Sequence, residues 1–580
     1  MCGIFVVIPK KKNKINIKKC LKSLDELKRR GPDYNFFNIK DNIFFGQTVL
    51  SMAGDKNKRI DHYTSHDHRY LIAYNGEIYN YIELSKKISS KLRSKYSDTN
   101  VLVNLFTHTN LKNITKLVDG MYAFVVYDSI KKKIIISRDP QGEKSLFLYE
   151  DNKFIILSSE IKPINLFVKK LYLNKDILKS YFYTRHFISF EKTIYKNLSI
   201  INPGDTLTLD IDNMKFKKSH SLSIFDLVDK KMYMKNQKKK EIFLINELES
   251  ILKRNIKQMI PFDRNSSSII SGGVDSSIIS YIINKINKKI KFITLDHLGK
   301  DKISNKIKLF ENKIKSKILK KNVSLKDYKN SYKKCLEVCS SPINSHDFPG
   351  RMIIARQAKS LNSKCIFGGD GADELFGGYE TYRQKISNKK INKSNYTKLL
   401  YTGFFKKNLE LKYFKKKMDF YWKKSLNAYN FIKNTDERNR QAMMLIDTAV
   451  QLSSVGLRGT DLMSMYNSVE PRSPFLRKEL IKFALNLPIR FKISLNGDKI
   501  KNKILLSKLF VKYFGNDLLF PKQGFSGFPN EINENLKKSK KFIINKYLKN
   551  KIDFKYYTRQ NPQLRWKISN MESFLKKNNF

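Results

Sequence analysis

Ser267-Ser268-Ile269-Ile270-Ser271-Gly272-Gly273-Val274-Asp275-Ser276-Ser277 decides the fold of the second half of the chain. A short run that reads as a buried strand ends in two glycines, and an apolar helical pattern, Ile278–Ile286, follows. Strand, Gly-rich turn, helix is a geometry that turns backbone N–H groups and Ser hydroxyls toward a phosphate. The helix N-terminus adds positive potential. A Gly-Gly turn alone is weak evidence. The loop lacks the Gly-x-x-x-x-Gly-Lys-Ser/Thr spacing of a Walker loop.

Working outward, buried strands are predicted at Lys291–Thr294 and Lys364–Phe367, with long amphipathic helical patterns between them that begin at Ile242–Met259. Strands alternating with helices predict a parallel sheet in an α/β domain. After Lys364–Phe367 stands Gly368-Gly369-Asp370-Gly371-Ala372-Asp373-Glu374-Leu375-Phe376-Gly377-Gly378. Carboxylates among glycines suit a Mg²⁺ ion that bridges phosphate oxygens while keeping waters. The bland alternative is a loop with solvated acids. Acids gathered beside glycines stand out in a chain with 113 Lys and Arg against 53 Asp and Glu, a formal charge of +60.

The first half has another texture. Short strands are predicted at Ile4–Ile8, Tyr70–Tyr74, Ala123–Tyr127, Lys133–Ser137 and Phe154–Ser158, with turn signals between them. Composition turns Lys-rich and polar near 212–240. The expected organisation is a domain over 1–207, a connecting segment over 208–240 and a second domain over 241–580, with Lys-rich helices at 385–440 and a polar helical tail from 530. At 580 residues and 41% hydrophobic content the chain can bury more than one core.

Charge and cysteines bound the function. The +60 is carried by 93 Lys and only 20 Arg, spread along the chain. Nucleic-acid recognition tends to use Arg for its bidentate fork. The pattern fits a coding bias toward Lys, Asn and Ile, so no nucleic-acid partner is expected. Five cysteines form neither a disulfide framework nor a zinc pattern, and no apolar run is long enough to span a membrane. A cytoplasmic location is expected.

Cys2 follows the initiator Met. Removal of Met1 would give Cys2 a free α-amine, a built-in base for its own thiol. Alone, it would read as a buried inert Cys. Asn75-Gly76 offers a side-chain NH₂ and a backbone N–H, two donors suited to a tetrahedral oxyanion, though Asn-Gly also makes hairpin turns. Ser97-Asp98 could supply a carboxylate for a substrate amine or simply cap a helix at 99–107.

These motifs occur in order with Arg30-Gly31-Pro32-Asp33, Asn75–Asn80, Asp119–Phe124, Arg138–Lys144 and Ser159–Lys162. Over about 160 residues the chain resembles the class II (N-terminal nucleophile) glutamine amidotransferase domain. The resemblance implies an α+β Ntn-hydrolase αββα sandwich. It makes Cys2 the nucleophile, Asn75 and Gly76 the oxyanion hole, and Glu77 and Asp98 the glutamine-amine site. Ser271–Ser277 resembles the loop of the ATP-pyrophosphatase (PP-loop) superfamily, an adenine nucleotide α-hydrolase-like α/β fold. With Asp461–Met465, Ser468–Leu476, Lys503–Leu506 and Pro521–Phe525, nearly the whole chain resembles glutamine-hydrolysing asparagine synthetases of the bacterial B type.

That resemblance implies ATP and Mg²⁺ as cofactors. Ser271, Gly272, Gly273, Asp275, Ser276, Ser277, Thr294, Gly368 and Gly369 would hold the nucleotide, Asp275 and Asp373 the metal. Asp370 would stand near the reacting acyl group, and Lys503 would stabilise phosphate charge. Small-molecule partners (glutamine, ATP and a carboxylate, first of all aspartate) and a possible homodimer follow from it. Four departures bear on substrates. Val49 stands where the family's Arg pairs the glutamine carboxylate, so either another cation such as Arg59 or Arg69 reaches it or glutamine binds weakly. Ser341-Pro342 replaces Glu-Pro, Ser345–Arg351 is unusual, and Arg477 replaces an Asp. Amidation of a sugar uronic acid is the alternative.

Overall fold

The computed structural model describes every residue except 1, 12, 53–62, 89–96, 185–187, 189, 220, 262–263, 298–301, 384–391, 401–411, 495–499, 520–541 and 549–551. The Pro521–Phe525 motif and Arg59 lie outside the described residues.

The N-terminal half holds two antiparallel sheets. The first has six strands in the order β2-β3-β1-β8-β7-β9, with β1 Cys2–Pro9, β2 Tyr34–Lys40, β3 Ile43–Val49, β7 Phe147–Glu150, β8 Phe154–Ser158 and β9 Leu198–Ile200. The second has the order β11-β10-β6-β5-β4, with β4 Tyr70–Ile78, β5 Gly120–Asp128, β6 Lys133–Arg138, β10 Thr206–Asp210 and β11 Lys215–Ser219. Strand β1 reads as an unbroken apolar run because both of its faces are buried. Ile4, Val6 and Ile8 join the core shared with β4 and β5, while Phe5 and Val7 pack with Cys20, Leu24, Ile161 and Ile164 on two helices outside. The helix Asp98–His108 covers the second sheet through Val101, Leu102 and Leu105. The layers run helix, sheet, sheet, helix.

The third sheet is parallel throughout, ordered β14-β13-β12-β15-β16, with β12 Ser266–Ile269, β13 Lys291–His297, β14 Ile318–Val323, β15 Cys365–Phe367 and β16 Glu470–Arg472. The strand order runs outward in opposite directions from β12 and β15. In open α/β sheets ligands bind at such a switch point, beyond the carboxyl ends of the strands. Both glycine-rich motifs begin there.

Two expectations change. The stretch 208–240 is not a bare connector. Its start completes β10 and adds β11, and its end forms the helix Lys230–Lys238. Nor is the C-terminus a polar appendage. The helix Pro562–Lys577 buries Leu564, Trp566, Ile568, Met571, Phe574 and Leu575 in a core shared with both halves. Among the described residues no helix is long and apolar enough to cross a membrane.

Candidate active sites

Cys2 is buried at the head of β1, opposite Val49 of β3. Its backbone N–H donates to Asn75 Oδ1 at 3.2 Å. That bond fixes the amide's orientation, so Asn75 Nδ2 points elsewhere, buried and without a hydrogen-bond partner among the described residues. A buried donor left unpaired costs about 1–3 kcal/mol, and an oxyanion would satisfy it. Gly76 is required by closeness. A Cβ there would stand 2.2 Å from Met121 O on β5. Arg30 Nε donates to Cys2 O at 3.2 Å and holds the strand end from behind. Burial pushes the Cys2 thiol up, partly offset by the N-terminal charge. A thiol so placed needs a base to react.

Beside them stand two carboxylates. Asp98 accepts from Tyr74 Oη at 2.8 Å and from the Ile78 N–H at 3.1 Å. Ser97, its neighbour, caps the helix by accepting from the Asn100 N–H. The helix-cap reading thus falls on Ser97, and the Asp98 carboxylate bonds to Tyr74 and Ile78 instead. Burial, and then Asp98, push the Glu77 carboxyl up to about 8. The nearest cation is Arg472, whose Nη2 lies 3.6 Å from Glu77 Oε1. The two acids are half-buried, and the negative charge they share is of the sign that a bound cation would offset. Arg69 does not serve as a substitute for the missing arginine at 49. It is spent on Asp128, with contacts of 2.8 and 2.7 Å, at the far end of β4.

The second site is a cavity of about 580 Å³ at the switch point, lined by Ser271, Gly272, Gly273, Asp275, Ser276, Thr294, Gly368, Gly369, Asp370 and Asp373. Gly272 adopts φ +75°, which turns the chain into the helix Val274–Ile286. Ser271 and Ser276 hydroxyls lie 2.9 Å apart and close the loop. Ser277 is buried under it, its hydroxyl without a partner among the described residues. Lys503 Nζ bridges Asp275 Oδ2 at 2.5 Å and Asp373 Oδ1 at 2.8 Å. Gly378 makes room for this, since a Cβ there would meet both Asp373 and Lys503. The two carboxylates therefore converge on one cation position.

Sequence reasoning missed the side chains that join the sites. Arg30 donates to Asp461 at 2.9 and 3.0 Å and to Glu160 at 3.1 Å, and Lys144 reaches Asp461 at 3.2 Å. Arg472 lines the cavity while its Nη2 faces Glu77. Arg477, expected to bear on the acceptor, is instead bonded to Asp119, with Nη2 at 2.5 Å. Its guanidinium lies 4.5 Å over the Tyr79 ring. Only the Ser345–Arg351 departure contributes to the cavity wall.

A buried Cys2 beside an unpartnered amide donor and two carboxylates, with a cavity walled by two glycine-rich loops on the same chain, fits a glutamine-dependent amidotransferase of the C–N ligase class. Comparison with known families agrees. Residues 1–220 match the glutamine amidotransferase domain family and 247–559 the asparagine synthase family. The chain belongs to the asparagine synthase family. It is 30% identical over 408 residues to the putative glutamine-hydrolysing asparagine synthetase 2 of Methanocaldococcus jannaschii, covering 66% of this chain and 76% of that one. It is 25% identical to asparagine synthetase 1 of Bacillus subtilis, covering 87% and 84%. A solved glutamine phosphoribosylpyrophosphate amidotransferase of B. subtilis aligns at 12% identity with a TM-score of 0.29, covering 55% and 81%, too low to carry weight.

Proposed function

We propose that the enzyme amidates a carboxylate, aspartate first among candidates, with ammonia released from glutamine at Cys2, through an acyl-adenylate. The observation that carries this reading is the shared cavity. Ser271, Gly272, Gly273, Asp275, Ser276, Asp370 and Asp373 line one space, so a nucleotide phosphate and an acceptor carboxylate can meet there. A carboxylate is inert to ammonia at neutral pH, whereas its adenylate is not. The relatives' names favour aspartate.

At the first site, with Met1 removed, the α-amine of Cys2 takes the thiol proton and sulfur attacks the glutamine amide. Asn75 Nδ2 and the Gly76 N–H receive the oxyanion. Glu77 and Asp98 hold the substrate ammonium. At the second, the loop 271–277 binds phosphate oxygens through backbone N–H groups and hydroxyls, and Thr294, Gly368 and Gly369 border the nucleotide. Asp275 and Asp373 fit Mg²⁺, which takes one or two protein carboxylates and fills the rest of its shell with phosphates and water. Bound there, it would neutralise phosphate charge. Lys503 Nζ, between the two acids, would add positive charge beside the pyrophosphate that leaves.

ATP–pyrophosphate exchange with a panel of carboxylates tests the reading. Exchange with aspartate is the expected result. Exchange with a uronic acid and none with aspartate would replace the acceptor, and no exchange with any carboxylate would overturn the reaction.

A further inference from the structure

The Asp370 carboxylate is held at both of its oxygens. Arg351, in the first turn of the helix Phe348–Ser360, donates from Nη1 to Asp370 Oδ1 at 3.3 Å. Thr460 Oγ1 donates to Asp370 Oδ2 at 2.9 Å. The two holders also touch each other, Arg351 Nη1 donating to Thr460 Oγ1. Arg351 is anchored behind by Asp347, which accepts from Nε at 2.7 Å. The one Thr460 hydroxyl proton lies between Asp370 Oδ2 and Gly456 O, the latter slightly farther at 3.1 Å. Segments around 347–351, 370 and 460 thus meet on one wall of the cavity.

Asp370 and Arg351 keep about a fifth and a quarter of their side-chain surface open. The group therefore faces the cavity rather than the core. A carboxylate bonded at each oxygen to a different element cannot swing freely about its terminal torsion, and its remaining lone pairs keep a fixed direction. Arg suits the task better than Lys because its planar fork spans two acceptors at once. Arg351 lies in the segment that departs from the family pattern, so no motif assigned it a part.

We infer that Arg351 and Thr460 are positioning residues that aim Asp370 at the acyl centre. The inference rests on the acyl-adenylate reading above. In that step ammonia forms the new C–N bond and the C–O bond to AMP breaks, its electron pair leaving with the phosphate. The nitrogen sheds one proton, which Asp370 takes up and passes to solvent. Acyl-adenylate and ammonia become amide, AMP and a proton, with no other reactant.

The test uses full-length protein and two assays, ATP–pyrophosphate exchange for adenylation and ammonia-driven amide formation for the whole reaction. Arg351→Met is expected to lower kcat for amide formation about 100-fold, the scale of a misdirected proton-transfer group. Thr460→Val, which keeps shape, should lower it about tenfold, the loss of one charge-assisted hydrogen bond. The acceptor KM in exchange should stay within about twofold, and Thr460→Ser should restore most of the rate. Melting curves report folding, and the isosteric Thr460→Val carries the test should Arg351→Met not fold. An acceptor KM raised tenfold with kcat kept would make these residues acceptor binders and overturn the inference. Unchanged kinetics in both variants, with wild-type exchange intact, would overturn it alone. Wild-type protein that exchanges with no carboxylate overturns the amidation reading and this inference together.

Discussion

Cys2 lies on a strand inside a sheet, and Asp275 lies on the first turn of a helix beyond the end of one. The first site is assembled by strand register and by two sheets packed face to face. Asn75 reaches Cys2 because β4 and β1 lie in facing layers. The second site is assembled by loops at the edge of a parallel sheet, and it is an open cavity. In the buried site the cost of charge is high, and the Glu77 carboxyl is held near 8. In the open one, Asp275, Asp373 and Asp370 are matched by Lys503 and Arg351. Burial creates a pocket that asks for a cation, and openness leaves room for a nucleotide and an acceptor.

If the two sites are separable in this way, they should fail separately. The largest effect is expected from Cys2→Ala. Glutamine-driven amide formation should fall at least ~10³-fold, the scale for loss of a covalent nucleophile, while ammonia-driven formation persists. Side-by-side assays with glutamine and ammonium salts check this, and loss of both would break the comparison. Next comes Asp275→Asn, expected to slow ATP–pyrophosphate exchange about 100-fold by weakening phosphate charge neutralisation. Glutamate release at Cys2 should continue, and its parallel loss would show the sites to be one cooperative unit.

The smallest effect sharpens the contrast through pH. Glu77 must be ionised to hold an ammonium, and its carboxyl is pushed up to about 8 by burial and Asp98. Below that pH, glutamine binding displaces a proton. The glutaminase KM should therefore fall as pH rises from 6 to 8, by about tenfold per unit at most, and level off above. Glu77→Gln should flatten the profile. A KM indifferent to pH in the wild type would show that Glu77 is already ionised in the empty pocket.

Much of this was legible locally. Cys2 after Met1, Asn75-Gly76 after a strand, and SGGVDSS between strand and helix each carry their geometry in consecutive residues. The eight strands read from the sequence fall within a few residues of β1, β4, β5, β6, β8, β12, β13 and β15, because hydrophobic runs bounded by turns are a local signal; the other eight described strands, β2, β3, β7, β9, β10, β11, β14 and β16, were not read. What was not legible lay in partners far apart. Arg30 meets Asp461 across 431 positions, Lys364 meets Asp33 across 331, and Arg477 meets Asp119 across 358. Composition also misled. In so Lys-rich a chain a lysine reads as surface, yet Lys567 is buried, donates to Tyr181 O and Thr184 O, and is brought down to about 7 by burial. Asn570 on the same helix donates to Ile343 O and accepts from the Ile343 N–H. What reads as a tail thus holds the start of the segment that runs into the cavity wall at Ser345–Asp347.

The sequence by itself determined which groups stand close together along each half: Cys2 and Asn75-Gly76 each at a strand in the first, and a glycine-rich loop with Asp275 and the acids after Gly369 in the second. Those depend on residues adjacent in the chain, whose relative placement local backbone geometry sets. Only the tertiary structure decided which side chains connect the halves, that Arg477 is bonded to Asp119, and that Asp370 is gripped by Arg351 and Thr460. Such contacts form where packing brings distant elements together, and no local pattern encodes a partner hundreds of residues away.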